Sequence, residues 1–88
     1  MMYDYPLDFN WTTEEIIDVM ALYNAVEKAY EEGISKDEFM EAYRKFTDIV
    51  DSKSMQKQID QQFENVSGYS IYKVFKQSQQ KDWIDMHD

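Results

Sequence analysis

The sequence of 88 residues contains no cysteine, one proline and only two glycines. Without cysteine the chain can form neither a disulfide framework nor a thiolate metal site, and this composition fits the reducing cytosol. No apolar run approaches the roughly 18 residues that a membrane-spanning helix requires. The first residues also lack the basic and apolar regions of a secretory signal peptide. We therefore expect a cytoplasmic protein.

Positive charge is also scarce, since nine Lys and Arg residues stand against 18 Asp and Glu residues, for a net charge of −9. As far as Gly33, eight acidic residues accompany a single basic one, Lys28. The phosphates of nucleic acids and the surface of an anionic membrane repel such a chain. We expect no nucleic-acid partner and no membrane, whereas a basic protein partner is compatible with the charge.

Apolar residues are abundant by contrast, because the chain is 43% hydrophobic and 16% aromatic. Aromatic side chains bury enough area for a small domain to form a core, so residues 1–88 are predicted to form one domain. The predicted fold is all-α, a small four-helix up-and-down array with an extended N-terminal strap. Three helices with a short appendage are the alternative. From the helical spacing of apolar residues, helices are predicted at residues 12–33, 35–50, 53–66 and 70–80, between a lead-in at 1–11 and a tail at 81–88.

Local signals mark the ends of the first two helices. Thr12 and Glu15 have the spacing of a capping box, in which each side chain satisfies a free amide of the first turn. Ser35 and Glu38 repeat this spacing at the start of the second helix. Gly33 lies between them, and glycine readily takes the left-handed conformation that ends a helix.

Large side chains alternate with smaller residues along the lead-in. This alternation has the period of an extended chain with one apolar edge. Pro6 disfavours a central strand, and no other strand is predicted for it to pair with. We therefore predict a strap laid across the helices with its apolar edge against them. The alternative is a segment that docks on another chain, swapped within a dimer. The apolar edge consists of Tyr3, Tyr5, Leu7, Phe9 and Trp11.

The tail combines a polar stretch with large apolar side chains. The helical pattern fades at residues 77–80, yet Trp83, Ile84 and Met86 follow. Either the fourth helix continues through the polar stretch, or a loose tail carries an apolar patch. The prediction is a frayed extension of the helix.

Groups suited to catalysis or metal binding are few. The sole histidine is His87, and no P-loop or dinucleotide-binding glycine pattern occurs. Glu27 and Glu31 share a helix face, but they lack the histidine that accompanies carboxylates in helical metal sites. We predict no catalytic residue, no metal and no cofactor. Helix capping explains the serines at the predicted helix starts, Ser35, Ser52, Ser54 and Ser70.

Seven tyrosines are more than a small core usually needs. Tyrosine is favoured where one end of the side chain stays wet, so one interpretation is a core edge whose hydroxyls reach water. The functional interpretation is an exposed patch that binds a protein partner or a second copy of the chain. The candidate partner surface is Tyr69 and Tyr72, at the start of the fourth helix, with Trp83 and Ile84 of the tail.

The leading functional hypothesis is a non-enzymatic protein-interaction module, either self-associating as a homodimer or binding an unidentified protein. It depends on the aromatic surplus, the alternating lead-in and the lack of catalytic groups. The alternative is a small-molecule binder or a carboxylate-based enzyme with a pocket between helices.

Three groups of residues stand out beyond these patterns. They are Tyr5-Pro6-Leu7-Asp8 with Trp11, then Ala29-Tyr30-Glu31-x-Gly33, and finally Ser67-Gly68-Tyr69-Ser70-x-Tyr72. Together they resemble the YktA-like family of small uncharacterised proteins from low-GC Gram-positive bacteria, and the resemblance extends from about Tyr5 to Lys76. It implies a small, helical, cytoplasmic protein. It implies no activity and carries over no functional residue.

Overall fold

The computed structural model describes residues 5–86, which form four helices and one short antiparallel strand pair. Helices dominate the chain, which confirms the predicted all-α class with four helices. The predictions for Tyr3 and His87 lie outside the described residues. The helices are α1 (Thr13–Glu31), α2 (Lys36–Ile49), α3 (Lys53–Ser67) and α4 (Ile71–Ser78), and the strands are β1 (Ile34–Ser35) and β2 (Trp83–Ile84).

The starts of α1 and α2 follow the sequence signals. The Thr12 hydroxyl accepts the Glu15 amide at 3.1 Å, and the Glu15 carboxylate accepts the Thr12 amide at 2.8 Å, so the first capping box is complete. The Ser35 hydroxyl accepts the Glu38 amide at 3.2 Å. The second capping box is only half formed, since the Glu38 carboxylate pairs instead with the ammonium of Lys28 at 3.2 Å.

Helix α1 forms the centre of the hydrophobic core. Its apolar residues recur every three or four positions, so they share one face, and that face packs mainly against α2. Fully burying a side chain of the size of Val or Leu stabilises the fold by about 1.5–3 kcal/mol. The buried residues of α1 are Val19, Leu22, Tyr23, Ala25, Val26 and Ala29, and the other elements add Ile34, Phe39, Phe46, Val50, Ile59, Phe63, Ile71, Val74 and Ile84.

The tail does not extend α4. The helix ends at Ser78, and the amides of residues 80 and 81 then turn the chain by donating to the Gln77 carbonyl at 3.0 Å. Strand β2 follows and pairs with β1, with Ile84 opposite Ile34. The predicted frayed extension is therefore wrong, and so is the expectation that the chain holds no paired strand. Two-residue strands are too short to show the alternation from which strands are predicted.

Two backbone hydrogen bonds flank the strand pair. The Lys36 amide donates to the Asp82 carbonyl at 2.7 Å, and the Met86 amide donates to the Ala29 carbonyl at 3.0 Å. Ala29 lies in the last turn of α1, where carbonyls have few partners within the helix. The tail thus satisfies one carbonyl at the end of α1 and one amide at the start of α2.

Gly33 joins α1 to β1 and contacts the tail. Its φ of +94° lies in the left-handed region, which costs little for glycine but is strained for other residues. A Cβ at this position would lie 2.6 Å from Nε1 of Trp83. The indole of Trp83 therefore occupies the space that any other residue would need.

We expect Gly33→Ala to lower the free energy of unfolding by about 3 kcal/mol, because backbone strain and overpacking add together. The matched control is Gly68→Ala. Gly68 has a φ of +80°, but no neighbouring atom lies within 4 Å of the place that a Cβ would take there. Backbone strain alone should then cost about 1–2 kcal/mol. Urea denaturation of both variants measures the difference.

A Trp83→Ala background isolates the clash. There, Gly33→Ala should cost no more than Gly68→Ala. Equal costs for the two glycine variants in the wild-type background would show that the indole does not press on Gly33.

Candidate functional site

A cluster of aromatic rings anchors the strap, defined as residues 5–11. The Tyr5 ring packs edge-on against Tyr23 of α1 and Phe63 of α3, with centroid distances of 5.4 and 5.1 Å. The Tyr5 hydroxyl also hydrogen-bonds to the Glu27 carboxylate. The Tyr23 hydroxyl donates to the Pro6 carbonyl at 2.6 Å. The strap is thus attached to two helices by both its side chains and its backbone.

A turn interrupts the strap after Leu7. The Asp8 carboxylate accepts the Asn10 amide at 2.8 Å, and the Asp8 carbonyl accepts the Trp11 amide at 3.0 Å. This arrangement is typical of Asp before a turn. Tyr5 and Trp11 pack on the core as predicted. The prediction is wrong for Leu7, which is 47% exposed, and for Phe9, which is fully exposed. The Asp8 turn ends the alternation before Phe9.

The exposed strap residues and α3 line a cleft, named here the strap cleft. Its apolar wall comes from Leu7 and Phe9 on one side and from Met55, 43% exposed, on the other. The cleft has a volume of about 220 Å³ and is open to solvent. It is lined by Pro6, Leu7, Asp8, Phe9, Trp11, Met55, Gln58, Ile59 and Gln62.

The sequence pattern does not predict this cleft, because its alternation places Leu7 and Phe9 on a buried edge. The pattern Asp8-x-Asn10 was the available signal. An Asp side chain that accepts the backbone amide two residues later favours a turn, and a turn interrupts the alternation of an extended chain.

Two of the four residues in the predicted partner surface are packed within the fold. Ile84 is fully buried in the strand pair, so its place on that surface is wrong. The Tyr69 ring is half-buried and stacks on the Tyr30 ring, with 4.4 Å between the ring centroids. Its hydroxyl donates to the Glu31 carboxylate at 2.9 Å. Tyr69 therefore joins α4 to the end of α1.

Tyr72 and Trp83 are the exposed members of that set, at 59% and 56%. Tyr72 lies in the first turn of α4, where its amide hydrogen-bonds to Asp60 and its ring faces the ammonium of Lys76 at 5.8 Å. Trp83 instead contacts Gly33 beside the end of α1. The two side chains thus contact different elements, Tyr72 within α4 and α3 and Trp83 at Gly33.

A second groove lies between α1 and α2. It is lined by three alanines and Asn24, and by the charged residues Lys28, Glu38, Glu41 and Lys45. Lys28 and Glu38 already neutralise each other as an ion pair, and the groove is open to water. It is not the closed pocket with paired carboxylates that the alternative hypothesis requires.

Two further findings concern residues 5–86. No group of three or more His, Asp or Glu side chains in this part of the chain is arranged to hold a metal ion. None of its helices combines the length and the apolar character needed to cross a bilayer.

Two tyrosines near the core resist ionisation. Burial raises the pKa of Tyr23 well above its ordinary value of about 10. Burial also raises the pKa of Tyr43, and the negative charge of Asp60 adds to this effect. For Tyr23 the neutral hydroxyl is the form that binds the Pro6 carbonyl, so burial protects the attachment of the strap.

We expect Tyr23→Phe to lower the free energy of unfolding by about 1 kcal/mol at pH 7, since the Pro6 carbonyl loses its donor. The pH dependence has a definite sign. Because the pKa of Tyr23 is raised by folding, its contribution is complete below about pH 10 and is lost as pH rises towards the folded-state pKa. The variant should therefore lose less stability between about pH 9 and 11 than the wild type.

Urea denaturation across this pH range tests the expectation, with Tyr72→Phe as the control at pH 7. The exposed Tyr72 should change stability by less than about 0.5 kcal/mol. An alkaline loss of equal size in Tyr23→Phe and the wild type would contradict the role given to Tyr23.

Comparison with known proteins identifies close relatives. A UPF0223 protein of Bacillus mycoides (strain KBAB4) is 48% identical over 80 residues, which cover 91% of this chain and 90% of the relative. A UPF0223 protein of Bacillus cytotoxicus is 53% identical over 76 residues, covering 86% and 85%. One from Streptococcus uberis is 49% identical over 78 residues, covering 89% and 85%.

These source organisms confirm the resemblance to proteins of low-GC Gram-positive bacteria. The profile of the family described as "Uncharacterised protein family (UPF0223)" matches residues 2–86. The chain therefore belongs to the UPF0223 family.

Proposed function

We propose that this chain is a cytoplasmic, non-enzymatic protein-interaction module that binds its partner at the strap cleft. The observation that carries the proposal is the exposure of Leu7, Phe9 and Met55 around one cleft. Clustered apolar side chains that are exposed to water mark a binding surface, because covering them with a partner is favourable. Covering a Phe side chain alone contributes about 1.5–3 kcal/mol.

The attachment of the strap supports the same proposal. Tyr5 and Tyr23 hold one end of the strap, and the Asp8 turn shapes the other. A surface that is already ordered loses little conformational freedom when a partner binds. The cleft is thus suited to recognition.

The serine hydroxyls that cap the helices support the non-enzymatic part of the proposal. The side chains of Ser35, Ser52 and Ser70 each accept an amide in the first turn of a helix. Ser70 also donates to Asp60 at 3.1 Å. A nucleophilic serine needs a neighbouring base and an accessible oxygen, whereas these oxygens already serve as caps.

Affinity capture from the cytosol of the native bacterium tests the function. A partner bound by the wild type should be recovered at least about tenfold less with Phe9→Ser, because the side chain at the cleft contributes several times RT. The matched control is Ile17→Ser. Ile17 is also an exposed apolar residue, but it does not line the strap cleft.

A second arm carries Tyr72→Ser with Trp83→Ser. Loss of the partner in this arm, with binding retained in Phe9→Ser, would contradict the assignment to the strap cleft. Capture of no partner by a chain that light scattering shows to be monomeric would contradict the interaction function. Circular dichroism confirms that each variant is folded.

A further inference from the structure

We infer that the strap cleft binds a short segment of another protein that carries both large apolar and basic side chains. The inference rests on the proposed function and adds the chemistry of the partner. It follows from the charge around the cleft, the size of the cleft and the polar groups at its edge.

The one charge in the lining of the cleft is negative. Asp8 is the only charged residue among those that line it. Residues 5–27, which include the strap and most of α1, contain five acidic residues and no Lys or Arg. Lys53 and Lys57 of α3 are exposed but do not line the cleft. The Asp8 carboxylate and the net charge of −9 of the chain therefore attract a basic segment and repel an acidic one.

The same charge argues against a second copy of the chain as occupant. Each copy carries a net charge of −9, so two copies that meet at their strap clefts bring like charges together. A partner with Lys or Arg beside its apolar side chains has no such cost.

The size of the cleft favours a segment over a whole domain face. Stable contacts between folded proteins bury roughly 1,600 Å² in total, and three exposed apolar side chains around one small cleft supply only part of such an area. Recognition of peptides needs only a few anchoring side chains in a groove. Gln58 and Gln62, one helical turn apart on α3, add amide groups that can bind the peptide backbone.

Peptide display on the full chain tests the inference. Random peptides of about 15 residues are selected on the wild type, with peptides that also bind Phe9→Ser removed. The selected peptides should be enriched in Lys or Arg together with at least two large apolar residues. Enrichment in Asp and Glu, or no charge preference, would overturn the inference while leaving the proposed function standing.

Titration of one selected peptide then measures the contribution of charge. Trp11 lines the cleft, and Trp83→Phe leaves it as the only tryptophan, so its fluorescence reports binding. Asp8→Asn removes the charge but retains an oxygen for the Asn10 amide. It should weaken binding about two- to fivefold, the size expected of an exposed ion pair. Phe9→Ser should weaken it about tenfold or more, and Ile17→Ser should leave it unchanged.

The peptide with each Lys and Arg replaced by Glu is the final control. It should bind less tightly, and the difference should shrink in high salt, which screens exposed charges. Equal binding of the two peptides would overturn the inference. A concentration-dependent dimer that Phe9→Ser abolishes would also overturn it, because the occupant would then be a second copy.

Discussion

The contact of Tyr23 with the strap is the interaction on which the candidate site depends. Tyr23 is fully buried, stacks on Phe63 at 4.7 Å and donates its hydroxyl to the Pro6 carbonyl. One side chain therefore joins α1, α3 and the strap. A phenylalanine would fill the same space without binding the backbone, whereas tyrosine combines the two because its hydroxyl reaches the edge of the core. The strap cleft exists because Tyr23 holds the strap beside α3.

The end of α1 is a second place where distant parts of the chain meet. The tail binds the Ala29 carbonyl through Met86, the Trp83 indole covers Gly33, and the Tyr69 ring stacks on Tyr30. These contacts explain why the chain retains large apolar residues in a polar tail. They close the end of a helix whose last carbonyls would otherwise have only water as a partner. Much of the aromatic surplus is thus structural, which is one of the two interpretations that the sequence left open.

In the proposed interaction, charge and apolar exposure act together at the strap cleft. Apolar side chains supply binding free energy but little selectivity, since any apolar segment can cover them. Asp8 in the cleft and the net charge of −9 repel other acidic chains, including further copies of this one, and the net charge reduces non-specific association. An acidic surface with a small apolar cleft is therefore compatible with a chain that stays dispersed until it meets a basic segment.

The sequence by itself determined the helical class, the starts of the helices and the family. These properties depend on residues close together in the chain, as with Thr12 and Glu15 or Gly33 at the end of α1, where local geometry decides the outcome. Only the tertiary structure decided that Ile84 is buried and that Phe9 is exposed. The first depends on pairing with β1, far away in the sequence, and the second on how the Asp8 turn meets α3. Neither contact leaves a periodic pattern, because each involves only a few residues that are brought together by the fold of the whole chain.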